Sequence, residues 1–273
     1  MQKKALEISL YVAGAGAFAV FLRWLQDQLA FNELGLADKS VFHVFVLLFL
    51  AAAAYVFLRF LNQFRDQGLI LQEDFGAALA NPGRLFSLIR LALGVLMIGG
   101  SLLLFLSAGE DKYPGMLRAL ALLGALTGLS FPLLLSAANW EKRPVRLLCL
   151  LSMLPVLLFA LWLLVSYREN SINSVAWAYA MDIFTPVMAM LAFFRLAGFA
   201  FGSVNARRVM FNTMFGAVLC MMALADERYM GMQLMLAAAA GMLLLYIWIL
   251  VLNLQPGQAP RRTRRQQDGF ERL

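Results

Sequence analysis

Histidine occurs once and cysteine twice among the 273 residues of this chain, and those two scarcities remove most metal and redox chemistry. A single histidine supplies no paired axial ligands for haem, no Glu-x-x-His di-iron site and no HExxH zinc site. Cys149 and Cys220 each lie inside an apolar run, so neither a disulfide framework nor a CxxC site fits, and both read as packing residues. No P-loop, Rossmann glycine pattern or DxxD acidic pair occurs. No cofactor or metal is therefore expected. Charge is scarce too: 14% of residues are charged and 62% hydrophobic, against about 25% and 45–50% in soluble domains.

What is present is a train of long apolar runs divided by short polar breaks. The runs fall near residues 5–24, 41–58, 85–108, 116–137, 145–167, 175–196, 207–225 and 231–253. Each is about long enough to cross some 30 Å of hydrocarbon as a helix. The expectation is an all-α, polytopic transmembrane bundle of about eight spans in four antiparallel hairpins. Residues 1–254 form one membrane domain, and residues 255–273 a basic, disordered tail. Lys3 and Lys4 precede an apolar stretch as in a signal peptide, but Glu7 interrupts the expected core, so the first span is expected to be retained.

Lys3, Lys4, Arg59, Arg65, Arg84, Lys142, Arg143, Arg146, Arg207, Arg208 and the tail arginines occupy the termini and alternate breaks. The opposite breaks hold few basic residues, among them Lys39, Lys112, Arg168 and Arg228. The bias puts both termini in the cytoplasm. The compact loops and the lack of an Asn-x-Ser/Thr acceptor site favour a bacterial inner membrane. Arg261, Arg262, Arg264 and Arg265 in the tail are expected to meet anionic lipid headgroups, at about 1 kcal/mol per basic residue; nucleic acid is not an expected partner. The connections at 25–40 and 59–84 read as interfacial segments, the first through Leu25, Leu29 and Leu36.

An ionisable group deep in a span costs roughly 2.5–3.5 kcal/mol on insertion scales, so each one asks for a reason. Asp182 lies seven residues into the sixth run, about 10 Å below the outer surface. Pro186 follows four residues later and cannot donate the helical bond to the Asp182 carbonyl. Asp182, Thr185 and Pro186 thus resemble the broken helices that build transporter sites. Arg118, Arg23 and His43 are the expected partners of Asp182, all predicted near the outer ends of their runs. Pro132 and Pro155 kink two further spans.

Other signals have plainer readings. The methionines around Cys220 read as adaptable packing rather than copper ligands. Gly124 with Gly128, and Gly198 with Gly202, have GxxxG spacing, which permits close helix contact. The segment GLSF at 128–131 resembles the Gly-x-Ser-x element of rhomboid proteases, but no histidine follows Ser130 to serve as base. Three classes of function remain. A small-solute or proton/cation-coupled permease, with a mid-membrane site at the kinked sixth helix formed by Asp182, Thr185, Pro186, Arg118 and His43, is the first. A non-catalytic accessory or scaffold subunit with a membrane partner, or a homo-oligomer, is the alternative. An intramembrane lipid enzyme using Glu110, Asp111 or His43 comes last, so the chain leans away from catalysis.

Overall fold

The computed structural model describes residues 2–30, 40–72, 74–80, 83–110, 113–137, 144–170 and 176–256. The tail arginines at 261–265, Asp111 and part of the 25–40 connection lie outside the described residues. The described helices are α1 (Gln2–Ala30), α2 (Ser40–Asp66), α3 (Phe75–Leu79), α4 (Arg84–Ser107), α5 (Pro114–Ala137), α6 (Val145–Asn170), α7 (Ala176–Ala197), α8 (Ala206–Met222) and α9 (Met230–Leu252). All except the five-residue α3 are long and apolar enough to cross a membrane. The all-α bundle of eight spans is as expected, with α1 and α2 running several residues further than the apolar runs.

Short connections force antiparallel neighbours. The residue pairs along α1 and α2 zip in that sense: Lys4 Nζ donates to Gln67 Oε1 at 2.6 Å, Tyr11 meets Phe60, Phe18 meets Phe49, and Gln26 meets His43. Likewise Phe159 on α6 stacks on Phe193 of α7, and Cys149 donates to the Ala200 carbonyl just beyond it. Helix α9 is the central post, packed by α1, α4 and α8; 72% of its apolar window is buried, against 22% for the peripheral α2. The first and last described residues lie at one end. There Gln255–Pro256 pairs antiparallel with Leu69–Ile70, and Asn253 Nδ2 donates to the carbonyls of Ala78 and Ala80 at 2.8 and 3.1 Å. That end is called the terminal end below, and the other the far end.

Lipid is as apolar as leucine, so helices in it associate through close packing rather than hydrophobic exclusion. Glycine makes that approach. A methyl group at Gly94 of α4 would stand 2.7 Å from the Gly128 carbonyl oxygen of α5 and 3.1 Å from Pro132 Cδ. On the other side of α4, one at Gly100 would stand 2.7 Å from the Gly231 carbonyl oxygen of α9. Gly124, the other member of the first GxxxG pair, faces Ser101 and Met235. The second pair is not a helix contact. Gly198 and Gly202 shape the turn after α7, where the Ser203 N–H bonds back to the Gly198 carbonyl at 3.0 Å and Gly202 takes φ +67°.

Replacing Gly94 by Ala should therefore lower stability by about 1–3 kcal/mol, because neither a backbone carbonyl nor a proline ring can step aside. Gly99→Ala, where nothing lies within 4 Å, should be neutral or raise it through helix propensity. Thermal melts of both variants in mild detergent check the contrast.

Candidate functional site

At the far end, polar side chains from four elements turn toward one another. On α1 the buried residues Ala19, Arg23, Gln26 and Ala30 repeat at helical spacing and form one inward stripe. Phe21, Trp24 and Leu29 lie on the exposed faces. Of the segment expected at the interface, the described part continues α1, with Leu25 half-buried and Asp27, Gln28 and Leu29 exposed. In hydrocarbon the polar face is the one that must be hidden. Helix α2 repeats the pattern with His43 buried and Val44 and Phe45 outward.

The turn between α8 and α9 supplies the centre. Arg228 reaches back with its guanidinium to Asp182 on α7, through both Nε at 3.0 Å and Nη2. Its Nη2 also donates to Asp226 Oδ2 at 2.9 Å, and its Nη1 to the Ala223 carbonyl at 2.8 Å. Asp226 Oδ1 accepts from Arg23 Nε at 2.6 Å. Arg23 Nη1 then donates to Gln26 Oε1 at 2.8 Å, and the Gln26 amide meets His43 Nδ1. The result is one hydrogen-bonded string, His43–Gln26–Arg23–Asp226–Arg228–Asp182, joining α2, α1, the α8–α9 turn and α7. With Gln26 accepting from Arg23 and donating to His43, Nδ1 is the acceptor and a neutral ring carries its proton on Nε2.

The four charges cancel. Arg23 and Arg228 side chains are 4% and 9% exposed, Asp226 11% and Asp182 26%. Such burial makes each ion dependent on the others, since removing one partner leaves an uncompensated charge. Asp226 lies in the turn, outside the spans. Burial pushes its carboxyl above the ordinary carboxylate range, while Arg23 and Arg228 pull it back.

Of the residues expected at the site, Asp182 and His43 lie in this string and Arg118 does not. The Arg118 guanidinium stands 5.7 Å from the centroid of the Phe105 ring, against α4. Thr185 and Pro186 are buried on α7 one turn below Asp182, where Thr185 Oγ1 donates to the Leu219 carbonyl at 3.4 Å. Asp182 is bonded to Arg228, which reads in the sequence as a loop charge. Gln26 and Asp226 also went unseen. The trace they leave is the i, i+3, i+7 spacing of Arg23, Gln26 and Ala30, and two opposite charges two residues apart beside an apolar run.

Eight apolar helices folded around an inward-facing ionic string define a multi-pass helical membrane protein. No known protein family matches the chain, and no match exists among characterised proteins or solved structures.

Arg228→Met should reduce stability by about 3–5 kcal/mol by removing the guanidinium that pairs with Asp182 and shares Asp226. Adding Asp182→Leu should recover much of that loss. Thermal denaturation of the single and double variants tests this, and equal losses in both would mean that Arg228 acts through packing alone.

Proposed function

We propose that the protein is a small-solute permease coupled to protons or cations, and that the string ending in Asp182 is its outer gate. One observation carries this reading. Among the described residues, a charge-neutral, buried clasp at the far end ties α7, which carries Pro186 in its interior, to α1 and to the α8–α9 turn. Alternating access needs a device that closes one face and can be undone. Ion pairs that hold only while all members keep their charge are such a device. The distribution of basic residues supports assigning the far end to the outside.

Proton coupling follows from the chemistry of the string. A proton taken up by Asp226 weakens its bonds to both arginines, and burial favours that uptake. A proton arriving on His43 Nδ1 makes that atom a donor, so the Gln26 amide must turn its oxygen toward the ring. Gln26 then faces Arg23 with N–H groups, and the Arg23 pairing with Asp226 is disturbed. Thr185 and Pro186 lie one turn beneath Asp182 on α7, where a solute or ion passing the opened gate arrives first.

The accessory-subunit reading loses one of its supports, because the Gly124 and Gly128 contacts are made within the chain.

The test is reconstitution of the full chain into proteoliposomes containing a pH-sensitive dye, challenged with a panel of amino acids, sugars and nucleosides under an imposed pH gradient. Solute-dependent proton movement is expected for the wild type. Asp182→Asn and Asp226→Asn should each cut the gradient-driven component by about fivefold or more, the usual floor for a coupling interaction. Uptake with unchanged pH dependence in both variants overturns the gating role.

A further inference from the structure

A sizeable cavity lies away from the clasp, at the terminal end. Its volume is about 650 Å³, within the roughly 300–1,000 Å³ of small-molecule pockets. Leu61 and Phe64 of α2, Leu69 and Leu71 after it, Met210 of α8 and Leu254 beyond α9 give it an apolar interior. Arg65 and Arg207 line it as well, and both are exposed. An apolar chamber with two arginines beside it matches an amphiphile carrying an acyl chain and an anionic head.

Its position fits a bilayer ligand. The 27 residues of α2 span about 40 Å at 1.5 Å per residue, against some 30 Å of hydrocarbon. An upright α2 reaching the far surface therefore has its last turns, with Leu61, Phe64 and Arg65, at the headgroup level. Helix α2 is also the least buried span, so a cavity along it lies at the edge of the bundle beside lipid. Ile70, more than half exposed, lines the cavity too.

The charges agree with an anionic head. The α8 N-terminus adjoins the cavity through Ala206, and the N–H dipoles of its first turn favour an anion, although Arg208 N–H is already taken by Asn205 Oδ1 at 3.2 Å. Asp74 also lines the cavity, but its carboxylate caps α3 by accepting from Ala77 N–H at 2.9 Å. The Asp66 carboxylate stands 3.7 Å from Arg65 with both side chains 70% or more exposed, a pairing too weak to hold Arg65 from a phosphate. The basic tail begins a few residues past Pro256, itself paired to Leu69 of the cavity wall. Arginines beside the site and in the tail both disfavour the tail as the occupant.

We propose that this cavity binds one anionic phospholipid, an acyl chain seated among Leu61, Phe64, Leu69, Leu71, Met210 and Leu254 and the phosphate held by Arg65 and Arg207.

The site is tested by native mass spectrometry of the full chain in detergent with phosphatidylglycerol or phosphatidylcholine of identical acyl chains. One retained phosphatidylglycerol per chain is expected, with little phosphatidylcholine. Arg65→Gln combined with Arg207→Gln should weaken retention by about 30-fold, from the known strength of two basic residues on anionic lipid. Leu69→Trp, which fills the chamber, should remove the bound lipid, while Gln at Arg261, Arg262, Arg264 and Arg265 should leave it in place. Melting temperatures near wild type certify that these variants fold. Equal retention of the two lipids, no retained lipid, or loss only in the tail variant overturns the proposal.

Discussion

Hydrocarbon offers no partner to a charged or polar group, and the organisation of the far end follows from that constraint. Asp182, Asp226, Arg23 and Arg228 are therefore gathered against one another. Each guanidinium donates to more than one acceptor, and each carboxylate is held by an arginine from a different element. The same constraint fixes the rotation of α1 and α2 about their axes. Arg23 and Gln26 must face inward, so Phe21 and Trp24 must face lipid, and His43 on α2 is drawn in to meet Gln26.

With the polar groups fixed at one end, the rest of the bundle is shaped by how near its helices can come. Gly94 and Gly128 bring α4 against α5, and Gly100 and Gly231 bring α4 against α9. Methionine fills what these contacts leave: Met235 lies over Gly124 and Met221 over Gly16. Several buried hydroxyls turn back on their own helices, as Ser101 does to the Met97 carbonyl at 2.8 Å and Thr213 to the Val209 carbonyl at 2.7 Å. Pro132, Pro155 and Pro186 lie inside helices that remain continuous around them, so the kinks are absorbed rather than ending the spans.

Span number and approximate limits were legible because hydropathy over some 20 residues is a property of a segment, and the solvent reads segments. Partners were less so. Asp182 announced itself as a buried acid, but its arginine lies 46 residues away in a turn that the sequence marks as polar. Neither periodicity nor spacing records which turn folds back over which helix. The α1 stripe was readable in principle from Arg23, Gln26 and Ala30, and was masked by leucines that suggest an aqueous interface. An amphipathic face has opposite meanings in water and in lipid, and only the length of the helix decides between them. The GxxxG spacings divided the same way, with Gly124 and Gly128 in a helix contact and Gly198 and Gly202 in a turn.

If the clasp is a gate, its composition also bears on what can open it. Both carboxylates are already occupied by guanidiniums, so a metal cation entering from outside has to displace Arg23 or Arg228 from a site of low polarity, at the price of exposing a buried positive charge. A proton needs only one lone pair of Asp226, the carboxyl whose affinity for protons burial already raises. Protonation changes the string from neutral to a net positive charge beneath the outer surface. That charge repels a cationic solute and draws an anionic one, whose carboxylate or phosphate can take the place that Asp226 vacates on Arg23 and Arg228. A proton and a monoanion together restore neutrality inside the bundle, so the arrangement favours the pair over either alone. Of the couplings open to a permease with this gate, proton with anion is the one that returns both arginines to a paired, neutral arrangement.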